Sequence, residues 1–224
     1  MHIGIFGGTF NPIHSCHLLI AEQVQAELKL DQVLFIPTGD PPHKASTSLA
    51  PASHRLAMVQ IALEGYPTFT TSDVEVRSSR ISYSFDTITI LKQQYSADTE
   101  WSFIVGLDAF LDFPSWKEAS RLLALCHFIV CSRPGTHFRS LALTTGLPTI
   151  SHAKLEGLDT GQSHRLDVEL PTGKHLTLLS LPPCEASAST IRNEISAGHS
   201  VSRWLPAPVE SYIMKHRLYQ CPLQ

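Results

Sequence analysis

The sequence predicts an α/β fold in which a doubly wound parallel sheet of the Rossmann-like kind is covered by helices on both faces. Three observations predict it. Six β-rich runs recur along the chain, and stretches with helical spacing of apolar residues separate them. Most of the runs are continuously apolar instead of alternating, which marks strands buried on both faces. Strand–helix alternation with right-handed crossovers then leaves few topologies other than a doubly wound one.

In chain order, the first strand is expected over 3–6, and a helix follows with Leu18, Ala21, Val24 and Leu28 on one face. A strand over 33–36 precedes a helix that buries Leu56, Val59 and Leu63. A strand over 69–76 leads to a helix carrying Phe85, Ile88, Leu91 and Tyr95. After a strand over 102–105, Ser115-Trp116-Lys117-Glu118 reads as a capping box opening a helix through Leu125. Strands over 127–130 and 176–181 flank 139–175, whose Gly, Pro, Thr and His content and weak periodicity read as an irregular insertion or hairpin. The final helix is expected near Pro208, burying Val209, Tyr212 and Ile213. A single domain over 1–224 results, with 187–224 as a small C-terminal helical part.

Composition narrows the function classes. The chain has 224 residues, 43% of them hydrophobic and 17% charged. Its mean hydropathy is +0.02. These values supply a full core and exclude wholesale disorder. A net charge of −3 argues against nucleic-acid wrapping, which needs a broad cationic surface. The start Met-His-Ile-Gly-Ile-Phe lacks the basic and apolar regions of a signal peptide. The longest apolar stretch, 122–131, contains His127 and is too short for a bilayer, so no membrane association is expected. Five cysteines (Cys16, Cys126, Cys131, Cys184 and Cys221) form no CxxC pair and read as mostly buried, reduced thiols. Cytoplasmic localisation follows as the expectation.

Ligands of doubly wound folds sit beyond the carboxyl ends of the strands. The loop after the first strand, Gly7-Gly8-Thr9-Phe10-Asn11-Pro12-Ile13-His14-Ser15-Cys16-His17, has glycines where backbone N–H groups would approach a phosphate and runs into a helix N-terminus. It is neither a GxGxxG fingerprint nor a P-loop, because the Lys-Ser/Thr pair is missing. His14 and His17, three apart, share a face of the helix start and can donate hydrogen bonds to phosphate oxygens. Taken singly, a Gly-Gly turn is structural as often as not, and a His pair at this spacing also reads as helix surface or a metal pair. The joint pattern is the specific signal.

GGTFNPIHSCHL resembles the GGTFDPxHxGHL signature of nucleotidyltransferases with the HxGH motif, and specifically of bacterial nicotinate-nucleotide adenylyltransferases. Further matches follow in order: Pro41-Pro42-His43-Lys44, Ile81-Ser82-Tyr83-Ser84-Phe85-Asp86-Thr87, Val105-Gly106-Leu107-Asp108, Pro114-Ser115-Trp116, Ser132-Arg133-Pro134-Gly135 and Ser187-Ala188-Ser189-Thr190-Ile191-Arg192. The resemblance spans the whole chain and is weakest over 139–175. Asn11 stands for the commoner Asp, Ser84 and Ser189 for Thr, and Lys117 for an aromatic residue. Cys16 occupies the Gly position of HxGH and is expected to line the nucleotide site.

The resemblance implies transfer of AMP from ATP to nicotinate mononucleotide by direct in-line attack, giving nicotinate adenine dinucleotide and pyrophosphate in NAD biosynthesis. His14, His17 and Arg192 are implied as catalytic. Gly7, Gly8, Thr9, Phe10, Gly106, Asp108, Ser187 and Ser189 are implied for ATP, with Asp108 on the ribose hydroxyls. Lys44, Tyr83, Ser84, Trp116 and Arg133 are implied for the mononucleotide. Mg²⁺ is expected with ATP, held by phosphate oxygens and water and not by a protein metal site. A homo-oligomer is compatible with the chain. Competing readings are helix capping for Asp108, packing for Tyr83 and Trp116, and solvated surface for Lys44, Lys117, His152, His164 and His175. At the level of function they are a His-rich zinc protein, a nucleotide sensor without turnover, and transfer to nicotinamide mononucleotide, phosphopantetheine or glycerol phosphate.

Overall fold

The computed structural model describes residues 1–39, 49–78 and 81–220. Its elements are β1 (His2–Gly8), α1 (Ser15–Leu28), β2 (Gln32–Pro37), α2 (Ala52–Ala62), β3 (Phe69–Thr71), α3 (Ser84–Gln94), β4 (Glu100–Gly106), α4 (Leu107–Phe110), α5 (Ala119–Leu125), β5 (His127–Cys131), α6 (His152–Asp159), β6 (Arg165–Glu169), β7 (His175–Leu179), α7 (Ala188–Ser196) and α8 (Ala207–Lys215). The strands form one sheet in the order β3-β2-β1-β4-β5-β7-β6. Every pairing is parallel except β6 with β7. The winding reverses between β1 and β4, which opens a crevice at their carboxyl ends, where such sheets bind ligands.

Both faces of the sheet are covered, as the apolar strands require. Ile3 and Ile5 of β1 look toward α3 and α5 with Ile88, Leu91, Trp101 and Phe128. Phe6 looks the other way, into a core with Phe35 of β2 and with Val24, Val59, Ile191, Val209 and Ile213 from α1, α2, α7 and α8. β1, an interior strand, therefore carries its loop between the two helical layers.

Three sequence expectations are corrected. The strand expected over 69–76 stops at Thr71, because residues 74–77 turn back, with the Arg77 N–H donating to the Asp73 carbonyl at 2.9 Å. The capping box at Ser115 does not form. Phe113–Ser115 is a 3₁₀ turn in which Ser115 Oγ donates to the Asp112 carbonyl, and α5 opens four residues later behind Glu118. The stretch 139–175 ends in the expected hairpin, β6 pairing antiparallel with β7, but the part before it is regular: it contains part of a 3₁₀ helix (Phe138–Leu143) and α6, and Asp159 holds the 3₁₀ start through the N–H groups of Phe138 and Arg139.

Candidate active site

The crevice is built outward from the end of β1. Neither Gly7 nor Gly8 has positive φ; the left-handed residue of the loop is Phe10, at φ 46°. Its buried ring packs on Phe6 and Phe35 at 5.8 Å each and on His17 at 5.0 Å. Asn11, next in the loop, accepts through its side-chain oxygen from the Ala50 N–H at 3.0 Å and the Tyr219 hydroxyl at 2.8 Å. Its carbonyl accepts from Arg192 Nη1 at 2.8 Å, which ties the loop to α7.

Arg55 is a residue that the sequence reading missed. It is fully buried on α2 and donates to the carbonyls of Ala50 (2.9 Å), Thr9 (2.8 Å) and Gly39 (3.0 Å) and to Thr38 Oγ1 (3.3 Å). Its guanidinium thereby fixes the glycine loop from behind. The signal was its spacing: Arg55, Met58, Val59 and Ala62 make one buried stripe at i, i+3, i+4 and i+7.

The His14 and His17 rings lie against each other with centroids 3.8 Å apart and planes tilted by 34°. The His14 N–H donates to His17 Nδ1 at 3.2 Å, so the neutral ring carries its proton on Nε2. Burial pushes the His17 pKa well below the ordinary imidazole value, and His14 and Arg133 push it further. His14 is lowered to about 3, first by burial and then by Arg133. Both rings are neutral donors at pH 7. His14 is buried with Nδ1 unpartnered and lies behind His17, away from the cleft wall.

A cleft of about 410 Å³ opens in front of this loop. Gly7, Gly8, Thr9, Phe10, His17, Gly106, Asp108, Arg133 and Arg192 line it, so most of the expected nucleotide residues share one cavity. Among the described residues its one lining carboxylate is Asp108, whose side chain is 62% exposed and stands 3.9 Å from Arg133 Nε. That Nε is buried without a hydrogen-bond partner. An anion in the cleft would meet Arg133, Arg192 and the His17 N–H. Arg133, expected with the mononucleotide, stands on the wall otherwise expected for ATP. Asp108 is the second residue of α4 and not its N-cap, which is Gly106.

Other expected residues lie off this wall. Ser187 caps α7 by accepting from the Thr190 N–H at 3.1 Å, and Ser189 Oγ is 3.0 Å from Ser187 Oγ; only their neighbour Ala188 lines the cleft. Tyr83 and Ser84 open α3, and Trp116 packs against Phe103 and Phe113. Phe103 would meet a Cβ on Gly7 at 3.6 Å, so this aromatic group reaches the end of β1 from the face opposite α1. Lys117 is paired with Asp86 at 2.8 Å and sits 4.9 Å from the Tyr83 ring centroid. Lys44 and Cys221 fall outside the described residues.

The cysteine expectation is also corrected. Cys16 and Cys184 form a disulfide, whereas Cys126 and Cys131 are buried thiols. Cys16 is 1% exposed and packs in the core instead of lining the nucleotide cleft.

A model of the cytidylyltransferase-like family matches residues 5–194. Similar curated proteins include a probable nicotinate-nucleotide adenylyltransferase of Thermomicrobium roseum, 37% identical over 97% of this chain and 91% of that protein. One of the same description from Synechococcus sp. (strain JA-3-3Ab) is 38% identical over 98% and 95%. Among solved structures, nicotinic acid mononucleotide adenylyltransferase of Plasmodium falciparum complexed with NaAD superposes with a TM-score of 0.71. It shares 20% identity and 97% coverage of both chains, a likeness that speaks for the fold.

Proposed function

Because the chain belongs to the nicotinate-nucleotide adenylyltransferases of the cytidylyltransferase-like family, we propose that it transfers AMP from ATP to nicotinate mononucleotide, releasing pyrophosphate and nicotinate adenine dinucleotide for NAD biosynthesis. The observation that carries the mechanism is His17, a residue of the cleft wall with Nδ1 occupied by the His14 N–H and its other ring nitrogen therefore a donor.

The attacking group is a phosphate monoester whose second pKa is ~6, so it is largely dianionic at pH 7 and needs no general base. One of its oxygens bonds to the α-phosphorus of ATP as the bond to the β-phosphate oxygen breaks. The obstacles are anion repulsion and alignment, which positioned donors overcome. His17 donates to the reacting phosphate, and His14 orients it through its backbone N–H. Arg192, on α7, takes the departing pyrophosphate. The N-terminal turn of α7 below it, with Ser187 and Ser189, adds its positive end. Gly7, Gly8, Thr9 and Phe10 shape the floor, while Gly106 and Asp108 receive the ribose. Arg133 adds charge on the ATP wall. Tyr83, Ser84, Trp116 and Lys44 belong to the mononucleotide side. Lys117 is already paired with Asp86, so backbone donors near Ser84 and Trp116 are left to recognise the pyridine carboxylate.

Mg²⁺ fits as a companion of ATP. Among the described residues no group of three or more His, Cys, Asp or Glu could hold a metal, and the cleft offers one carboxylate, Asp108. The ion would be held by phosphate oxygens and water with Asp108 nearest among acidic side chains, and it would neutralise phosphate charge. We place the enzyme in the cytoplasm, as one domain that needs neither nucleic acid nor membrane. Among the described residues no helix is long and apolar enough to cross a bilayer.

The test is pyrophosphate release from ATP with a panel of phosphomonoesters. Nicotinate mononucleotide is expected to exceed the nicotinamide form in kcat/KM by ~10-fold or more, since one buried donor–donor mismatch of ~1.4 kcal/mol gives that ratio. Binding of ATP without turnover would support a sensor, and preference for phosphopantetheine a different transferase.

A further inference from the structure

Cys16 and Cys184, 168 residues apart, are joined across two elements of the proposed site. Cys16 is the second residue of α1, between His14 and His17. Cys184 lies three residues before Ser187, the cap of α7, and eight before Arg192. We propose that this pair is a thiol–disulfide exchange site, open to dithiol and disulfide proteins or small thiols, whose state sets the affinity of the cleft for the phosphates of ATP. The second half of the inference rests on the adenylyltransferase reading above.

Accessibility fixes the direction of attack. Cys16 is buried, whereas Cys184 is half-buried at the rim of a second cleft of about 260 Å³, between the loop after β5 and residues Leu19 and Ile20 of α1. A thiolate from the reducing dithiol bonds to Cys184 Sγ, and the Cys16–Cys184 bond breaks with its electron pair leaving on Cys16. Cys16 is suited to leave, because the N-terminus of a 14-residue helix stabilises a thiolate at its second position. The second thiol of the reductant then displaces Cys184. Two electrons and two protons pass to the pair, and the reductant becomes a disulfide. Oxidation by a disulfide partner runs the same steps in reverse. The other described cysteines do not compete: Cys126 and Cys131 are buried, and burial pushes both thiols up to about 12.

The coupling to ATP follows from what holds the segment before α7. Among the described residues no hydrogen bond anchors 182–186, and Pro182 and Pro183 have no N–H to give. The disulfide and the buried Ala186 fix it to the core, while the bond from Arg192 to the Asn11 carbonyl is a second tie further along. Closed, the disulfide holds the α7 start against α1. Open, the segment must be ordered anew when phosphate binds. A disulfide in a reducing compartment is more often a redox device than a permanent staple.

The test compares oxidised parent, dithiothreitol-treated parent and Cys184→Ser. Differential alkylation with mass mapping reads the bond, and calorimetry with α,β-methylene-ATP reads the cleft. Opening the bond is expected to raise the Kd by about 3–10-fold, the range that ordering a short segment costs. Cys184→Ser is expected to sit at the reduced value with or without dithiothreitol. The proposal is overturned if the disulfide stays closed in the native protein under dithiothreitol, or if mapping finds both residues as thiols under a disulfide oxidant. It is also overturned if the bond opens and the Kd does not move. Turnover with nicotinate mononucleotide is measured on the same samples. Analogue binding without transfer would sink the functional reading, whereas transfer with equal Kd in both redox states would sink only this one.

Discussion

His17 is a donor because its environment keeps the ring neutral and its Nδ1 is taken by the His14 N–H. Replacing it by Ala should lower kcat ~10²–10³-fold, as loss of one preorganised donor to developing charge does. The same change frees the His14 N–H at the start of α1. It should therefore lower the melting temperature by only about 2–4 °C, equivalent to ~1 kcal/mol in a chain of this size. A variant with near-normal turnover would remove His17 from the chemistry. Arg55 has the opposite profile. Arg55→Met leaves the carbonyls of buried Ala50 and half-buried Thr9 and Gly39 without their donor, and puts an apolar chain in the buried place of a charged one. Stability should drop by about 3 kcal/mol or more, with weaker ATP binding as the glycine loop loosens. Denaturant melts and ATP titrations together check it; a stable variant with normal ATP affinity would contradict the role.

At the scale of elements, Gly106 joins β4 to α4 and sets how closely Asp108 and Arg133 approach. A Cβ there would meet Asp108 Oδ1 at 2.5 Å and Arg133 Nε at 2.7 Å, while φ of −73° suits any residue. Gly106→Ala should therefore fold normally yet weaken ATP binding ~10-fold or more, because the displaced side chains are the ones that position the nucleotide. Unchanged affinity would show that neither side chain touches ATP. Most of these elements were legible in the sequence. The central strands are apolar on both faces, and α1, α3 and α8 carry apolar residues at helical spacing. Elements whose residues serve another purpose were not. β6 reads Arg-Leu-Asp-Val-Glu because it is a half-solvated edge strand, so no apolar run announces it. Ser115 matches a capping box, yet Pro114 in the 3₁₀ turn and the left-handed Glu118 delay the helix. In the candidate site, the glycine loop, His17 and Asp108, which line the cleft, were readable from motifs, whereas His14 lies off its wall. Arg55 was hidden on an apolar stripe. Cys184 pairs with Cys16 only through a fold that brings distant segments together, which no local spacing encodes.

Across the whole molecule, buried imidazoles set the acid limit. His14 is lowered to about 3 and His127 to about 4, in both cases chiefly by burial. A folded-state pKa below the unfolded value of ~6.5 means that the unfolded chain takes up the proton first. Their contribution is complete above pH 6.5 and is lost as the pH falls toward 3–4. Between pH 7 and 5 the two together cost up to ~4 kcal/mol, so the ligand-free melting temperature should fall by about 5–15 °C. His127→Gln should lessen the fall, and a melting temperature that rises toward pH 5 would contradict the assignment. The same neutrality shapes the chemistry. A site whose described residues offer neutral donors and arginines to the phosphates works by aligning two anions for a single displacement. That claim is tested most directly by the stereochemical course of transfer. The enzyme is given one diastereomer of ATP carrying sulfur on the α-phosphorus, with nicotinate mononucleotide, and the configuration of the dinucleotide product is determined. Inversion at phosphorus is the predicted result. Retention would require two displacements and an adenylylated protein group, and would contradict the account.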